Sequence, residues 1–154
     1  MQLNSEIIIS DTSCLILLHK IDELELLDKL GKNVFITQII KREFGQKLPD
    51  WIIVKEPSDT HYQKMLEMDL DEGEASAIAL SFEIDNSILI LDDLKGRKIA
   101  DKLNLRYSGT FGLILRAKQV GIIESVKPIL DKIRKTNFRF SDKIFDSILA
   151  QSGE

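Results

Sequence analysis

Short apolar runs alternate with longer amphipathic stretches along this chain. The two clearest runs, EIIIS and SILIL, are rich in Ile and Leu, and they stop abruptly at Asp11 and at the pair Asp92 and Asp93. Near-continuous apolar runs of this length are typical of strands that are buried on both faces of a parallel sheet. The stretches between them place apolar residues on one helical face. The pattern therefore predicts an α/β fold with a mainly parallel sheet.

The segments that this pattern predicts cover most of the chain. Five of them have the composition of strands: residues 6–10, 33–36, 51–54, 88–91 and 105–107. The predicted helices are residues 11–19, 22–30, 37–44, 59–68, 72–84, 95–103, 111–120, 123–135 and 142–151. No repeat, linker or low-complexity segment interrupts this series, so residues 1–154 are expected to form a single domain.

The composition is that of an ordinary globular protein. Hydrophobic residues make up 44% of the 154 positions and charged residues 30%. No apolar run approaches the roughly 18 residues of a membrane span, and the first residues lack the pattern of a secretory signal. The single cysteine excludes an internal disulfide and a cysteine-based zinc site. These features predict a soluble, cytoplasmic protein with no membrane segment.

The net charge of −4 is unevenly distributed along the chain. Residues 95–118 contain seven Lys or Arg residues and one acid, Asp101. Local basic density beside a carboxylate site is what a phosphodiester substrate and a divalent cation require. A solvated helix surface has the same composition, so the charge pattern alone leaves both interpretations open.

Carboxylates follow the first and the fourth predicted strands directly. Functional groups gather beyond the carboxyl ends of parallel strands, which makes Asp11, Asp92 and Asp93 candidate site residues. Each of them could instead be a helix N-cap. A cap explains only one member of the adjacent pair, and two unit charges about 4 Å apart repel by roughly 4 kcal/mol at an effective dielectric of 20. The pair therefore suggests a bound cation.

Two glutamates lie on the apolar faces of predicted helices. Glu43 shares a face with Ile40, and Glu74 shares one with Ile78. A lone buried carboxylate costs several kcal/mol unless it is paired, protonated or bound to a metal. The alternatives are a helix end that leaves Glu43 in water, and a capping box formed by Asp71 and Glu74.

Five segments between residue 7 and residue 123 form a distinctive combination. In chain order they are IIISDTSCLILL, ITQIIKREFG, LDEGEASAIALS, ILILDDLKGRKIADKLNL and YSGTFGLILRAKQVGII. Together they resemble the PIN-domain family of nucleases, and within it a prokaryotic subgroup. The resemblance implies a three-layer α/β/α sandwich with a central, mainly parallel sheet of about five strands. It also implies a metal-dependent endoribonuclease that acts on RNA, in many cases the toxin partner of an antitoxin protein.

Carried over residue by residue, the resemblance assigns a set of acids to the catalytic and metal site: Asp11, Glu43, Glu74 and one of Asp92 and Asp93. Such carboxylates suit Mg²⁺ or Mn²⁺, and one or two ions would activate a water for hydrolysis. Thr12 and Ser13 are expected either to orient the Asp11 carboxylate or simply to begin a helix. The chain departs from the common pattern in having Leu91 before the acidic pair and Glu at position 74.

The basic segment supplies candidate contacts to RNA phosphates, namely Lys95, Arg97 and Lys98. Arg97 could instead form a salt bridge with an acidic neighbour. The alternative function is a PIN-like domain that binds nucleic acid or protein without cutting, since position 74 departs from the pattern and the chain is acidic. A phosphate-accepting receiver domain is disfavoured, because it needs its acidic pair after the first strand.

Several other conspicuous residues carry no predicted catalytic role. Cys14 lies among large aliphatic residues and is expected to be a small buried hydrophobe. His19 and His61 fall outside the matched positions and are expected to be structural or surface residues. A set of late apolar residues either forms the surface of an expected homodimer or closes the core: Phe138, Phe140, Phe145 and Ile148.

Overall fold

The computed structural model describes residues 6–154, and the first five residues of the predicted domain lie outside it. The described part contains one five-stranded sheet. Its strands are β1 (Ile7–Ser10), β2 (Asn33–Ile36), β3 (Ile52–Val54), β4 (Ser87–Ile90) and β5 (Tyr107–Ser108). All neighbouring strands run parallel, in the order β3-β2-β1-β4-β5. The predicted sheet is confirmed, and every pairing in it is parallel.

Helices flank this sheet in a three-layer α/β/α arrangement, as expected. Over the described residues they are α1 (Thr12–Lys20), α2 (Glu25–Leu30), α3 (Gln38–Phe44), α4 (Thr60–Leu66), α5 (Glu72–Glu83), α6 (Leu94–Lys102), α7 (Thr110–Gln119), α8 (Lys127–Arg134) and α9 (Asp142–Ser152). Their ends differ from the predicted ends by a few residues. The largest difference is the start of α8 at Lys127, where Pro128 occupies the first turn. Within the same range, no helix combines the length and the hydrophobicity that crossing a bilayer requires.

The core is centred on the two middle strands of the sheet. Ile8 in β1 and Ile88 in β4 are fully buried, as strands covered on both faces require. Helix α5 packs against both strands. Its buried residues Ala75, Ala77 and Ala79 let the helix axis come close to the sheet. This helix brings its first turn to the edge where β1 and β4 end.

The late aromatic residues close the core at one end of the molecule. Phe145 and Ile148 of α9 are buried within the chain itself. Phe138 and Phe140 are half-buried and pack around Phe111, with ring centroids 5.9 and 5.1 Å from it. The sequence left open whether these residues close the core or form a dimer surface, and Phe145 and Ile148 close the core. The expected homodimer stays a prediction.

The strand order reverses direction at β1. The chain builds outward from β1 to β2 and β3, and then crosses to β4 and β5 on the other side. In register, Ser10 pairs with Ile90, so β1 and β4 end at the same level. The N–H of Asp11 donates to the carbonyl of Ile90 at 3.0 Å. A crevice opens at such a switch point, because the connections after the two strands diverge.

We expect Ile8→Ala to lower the free energy of unfolding by about 2–5 kcal/mol, since it removes buried side-chain atoms and leaves a cavity. Urea denaturation measures this loss. Ile53→Ala is the matched control, because Ile53 lies on the edge strand β3 and is 43% exposed. Equal losses in the two variants would contradict a core centred on β1.

Candidate functional site

A pocket of about 420 Å³ lies where the crevice opens, beside the end of β1. Four carboxylates line it: Asp11 after β1, Glu43 on α3, and Asp71 and Glu74 at the start of α5. The remaining lining residues are Thr12, Ser13 and Ile16. Three of the acids predicted from the sequence therefore meet in one pocket, from three separate parts of the chain. Asp92 and Asp93 border this region without lining the pocket.

Asp11 is both a helix cap and a buried site residue. Its Oδ1 accepts the N–H of Cys14 at 2.9 Å, which caps α1. Its Oδ2 accepts the Ser13 hydroxyl and the N–H of Asp92, both at 3.1 Å. The residue is 4% exposed. Burial, followed by the nearby charge of Asp92, raises the pKa of Asp11 from 3.8 to about 6. The sequence left open whether Asp11 is a helix N-cap or a residue of the candidate site. In the structure its carboxylate caps α1 and also lines the pocket.

Glu43 lines the pocket from a different position than the helical pattern predicts. The pattern places it inward on a core-facing stripe, and this prediction is wrong. The alternative, a helix end that leaves Glu43 in water, is confirmed, because Glu43 is solvent-exposed. The reason is that α3 is a short helix whose main contacts are with α1 and α5. Its side chain reaches across to α1, where Oε1 accepts the Thr12 hydroxyl at 2.5 Å. Thr12 thus orients Glu43, whereas Ser13 orients Asp11.

A glycine in the first turn of α5 makes room for the Glu43 carboxylate. Gly73 is buried, and a Cβ added to it would collide with Oε1 of Glu43. The sequence pattern does not single out Gly73, nor does it place Asp71 in the site. A signal for Asp71 does exist, because Asp71 and Glu74 lie one helical turn apart and share a face.

Glu74 lies beside two other carboxylates of the site, those of Asp71 and Asp93. Its backbone N–H donates to Oδ1 of Asp71 at 2.8 Å, so Asp71 caps α5 as the spacing predicts. Its own carboxyl is half-buried beside the carboxylates of Asp71 and Asp93. Burial, followed by Asp71 and then Asp93, raises the pKa of Glu74 from 4.5 to about 8. A proton or a cation at this position relieves the repulsion.

Asp92 and Asp93 point to different elements. Asp93 caps α6 by accepting the N–H of Gly96 at 3.0 Å. Asp92 accepts the N–H and the hydroxyl of Thr110, at 2.8 and 2.6 Å, and lies 3.8 Å from the Arg97 guanidinium. The two adjacent carboxylates are thus held by different elements, and the assignment of Asp92 or Asp93 as a metal ligand stays a prediction.

The basic candidates divide into one structural arginine and two exposed lysines. Arg97 donates from Nε to the Leu91 carbonyl at 2.7 Å and lies over the Tyr107 ring at 5.8 Å. Arg97 also forms the salt bridge given as its alternative role, with Asp92, and it stabilises the end of β4; its contact with RNA stays a prediction. Lys95 and Lys98 are exposed on α6, and no ion pair of either occurs in the described part of the chain.

The remaining residues singled out by the sequence lie where they were expected. Cys14 is fully buried, and burial raises the pKa of its thiol well above the usual value. The thiolate required of a nucleophile is therefore disfavoured. His19 and His61 are exposed. His19 packs edge-on against Phe44, with ring centroids 5.4 Å apart.

The donor chemistry of the pocket suits a hard divalent cation. Its carboxylate oxygens are the ligands that Mg²⁺ and Mn²⁺ prefer. Asp11 keeps acceptor capacity, because a carboxylate has about four acceptor positions and three of them are used. Among the described residues, no three His, Cys, Asp or Glu side chains are grouped closely enough to hold one ion. The acids thus line a common pocket without forming a finished cage.

We expect Gly73→Ala to reveal the contact between α5 and Glu43. Gly to Ala within a helix usually stabilises a protein by about 0.5–1 kcal/mol. Here the added methyl displaces the Glu43 carboxylate, so urea denaturation should show no gain or a loss. In a Glu43→Ala background the usual gain should return. The same gain in both backgrounds would contradict the close approach.

The raised pKa of Glu74 predicts a pH dependence of stability in the metal-free protein. The folded protein holds a proton that the unfolded chain has lost, so this contribution to the unfolding free energy is complete below about pH 4.5 and falls as the pH rises towards 8. Glu74→Gln should make the unfolding free energy fall less between pH 6 and 8. This pH range lies above the pKa of Asp11, which is about 6.

Urea denaturation in the presence of a chelator measures this slope. Glu72→Gln is the matched control, since Glu72 is exposed in the same turn of α5. It should keep the slope of the unsubstituted protein. An unchanged slope in Glu74→Gln would show that the crowding around Glu74 does not hold in solution.

Comparison with known proteins is consistent with this architecture. A search of curated proteins gives no significant match. The sequence does match a protein-family profile described as a PIN domain, and the match covers residues 7–154. PIN domains are generally nucleases that use divalent metal ions. With a profile match over nearly the whole chain, and the parallel sheet expected of it, this protein belongs to the PIN-domain family.

Proposed function

We propose that this protein is a metal-dependent endoribonuclease that hydrolyses RNA phosphodiester bonds. The observation that carries the proposal is the convergence of Asp11, Glu43 and Glu74 in one pocket at the switch point of the sheet. These residues come from three separate segments. Burial, together with the nearby charge of Asp92 at Asp11 and of Asp71 and Asp93 at Glu74, raises the pKa of Asp11 and of Glu74. Membership of a family of nucleases supports the same activity.

In this proposal the ion is Mg²⁺ or Mn²⁺. Asp11, Glu43 and Glu74 would hold it, with Asp71 as an additional neighbour, once their side chains move inward from the walls of the pocket. When bound, such an ion supplies Lewis acidity and lowers the pKa of a coordinated water. Asp92 and Asp93 border the ligands. The N–H of Asp92 holds Asp11, and the Asp93 carboxylate lies beside Glu74.

The other residues keep the ligands in place and attract the substrate. Ser13 and the backbone of Cys14 fix the Asp11 carboxylate, and Thr12 fixes Glu43. Lys95 and Lys98 are exposed on α6, which begins directly after Asp93, and they are available to RNA phosphates. Positive groups beside an acidic pocket offset the repulsion between the carboxylates and the RNA backbone.

We expect Asp11→Asn to reduce Mn²⁺-dependent cleavage of mixed RNA by about a hundredfold or more, because the substitution removes a charged ligand. Asn is a good N-cap, so α1 should persist. Thermal denaturation supplies a second readout, since a ligand that binds only the folded state raises its stability. Mn²⁺ should raise the melting temperature of the unsubstituted protein, and this shift should shrink in the variant.

Asp28→Asn is the matched control, because Asp28 is exposed on α2 and does not line the pocket. It should retain both the cleavage and the Mn²⁺ shift. Cleavage that survives in Asp11→Asn would refute the site. Mn²⁺ or RNA binding by the unsubstituted protein without cleavage would favour the alternative of a binding module. The toxin role and the antitoxin partner stay predictions from the resemblance.

A further inference from the structure

A groove continues from the carboxylate pocket along one face of α1. The pocket shares Ser13 and Ile16 with a neighbouring cavity of about 280 Å³. The far side of that cavity is lined by Lys20, Asn137 and Phe138. Ser13, Ile16 and Lys20 are spaced three and four residues apart, which puts them on one side of the helix. At a rise of 1.5 Å per residue, the groove from Ser13 to Lys20 is about 10 Å long.

The far end of this groove is basic. Lys20 also lines a third cavity, of about 410 Å³, together with Lys132 and Lys135. Among the residues that the structure describes, Asp22 is the one acid in the lining of that cavity. A path of linked cavities therefore connects an acidic pocket to a cluster of three lysines, hereafter the lysine end. A polyanion that reaches the carboxylates meets favourable charge there.

The lysines keep hydrogen-bonding capacity for a ligand. The Lys20 ammonium donates to Oδ1 of Asn137 at 3.0 Å. The Lys132 ammonium donates to the Ile21 carbonyl at 3.2 Å and lies 3.9 Å from Glu23. An ammonium group has three protons, so both side chains retain donors after these contacts. The contacts hold the two groups at the groove, and the three lysines outnumber the neighbouring acids Asp22 and Glu23, so the cluster stays net positive.

An aromatic ring lies between the pocket and the lysine end. Phe138 lines the groove and is half-buried. Its ring packs edge-on against Phe111 and is tilted against Phe140, which fixes its position. Rings held in this way act as platforms for unpaired bases in proteins that bind single-stranded nucleic acid.

We propose that a single-stranded segment of RNA lies in this groove, with one phosphate at the carboxylate pocket and another phosphate, further along the strand, at the lysine end. A base between them stacks on Phe138. This inference rests on the proposed ribonuclease function and specifies how the substrate is bound. Charge favours RNA over a peptide as the occupant, because the lysine end supplies the attraction that the acidic pocket lacks.

The test measures the binding of a short fluorescent single-stranded RNA by anisotropy, in the Asp11→Asn protein with Mg²⁺, at several salt concentrations. Lys20→Gln combined with Lys135→Gln should weaken binding about tenfold and reduce the salt slope by about 0.7 for each phosphate that a lysine no longer neutralises. Lys29→Gln combined with Lys102→Gln removes the same charge from exposed positions that line none of these three cavities. This control should bind like the parent.

A second variant tests the stacking interaction. Phe138→Leu keeps an apolar side chain against Phe111 and removes the flat ring. It should weaken binding about fivefold or more without changing the salt slope, because stacking contributes little charge.

Lys20→Gln removes the hydrogen bond with Asn137. If this loss lowers the melting temperature of the double lysine variant, Lys135→Gln alone replaces that variant in the binding test.

Two results would contradict the proposal that RNA binds in this groove. One is unchanged affinity and salt slope in the lysine and Phe138 variants, which would point to another occupant such as a peptide. The other is an equal loss in the Lys29 and Lys102 control, which would show general charge attraction. The proposed function has its own readout, because Mn²⁺-dependent cleavage by the unsubstituted protein stands or falls independently of these binding data.

Discussion

The parallel pairing of β1 with β4 is the constraint on which the site depends. Because Ser10 is in register with Ile90, both strands stop at the same level. The N–H of Asp92 then reaches Oδ2 of Asp11, and this bond joins two positions 81 residues apart in sequence. The connections diverge beyond that point and leave a crevice. Helix α5 packs on the same two strands and brings its first turn to the crevice.

Helix capping and the candidate chemistry use the same side chains. Asp11, Asp71 and Asp93 are the N-caps of α1, α5 and α6. Each carboxylate is stabilised by the N–H groups and the positive end of its own helix dipole. Glu43 and Glu74 are not caps, and they add charge to a region that is already acidic. Burial, followed by the neighbouring Asp71 and Asp93, raises the pKa of Glu74, and the crowded carboxylates make the pocket attractive to a cation.

Much of the fold could be predicted because its signals are local. Buried parallel strands need continuous apolar runs. The small residues of α5 indicate that this helix packs close to the sheet. Helix ends are less predictable, as at Lys127, because capping depends on a few contacts outside the helix. The directions of the side chains at the site could not be predicted from the sequence either. Glu43 shares the apolar face of α3 in the sequence, yet that helix packs on other helices and leaves Glu43 in water.

The sequence by itself determined which acids follow buried strands, which helices begin with them, and therefore that carboxylates collect at one edge of a parallel sheet. Only the tertiary structure decided how they are used. It turned Asp92 towards Thr110 and Arg97, left Asp93 beside Glu74, and opened a space over Gly73 for Glu43. The physical reason is that strand periodicity and capping are properties of neighbouring residues, whereas the direction of a carboxylate depends on donors and charges that arrive from distant segments.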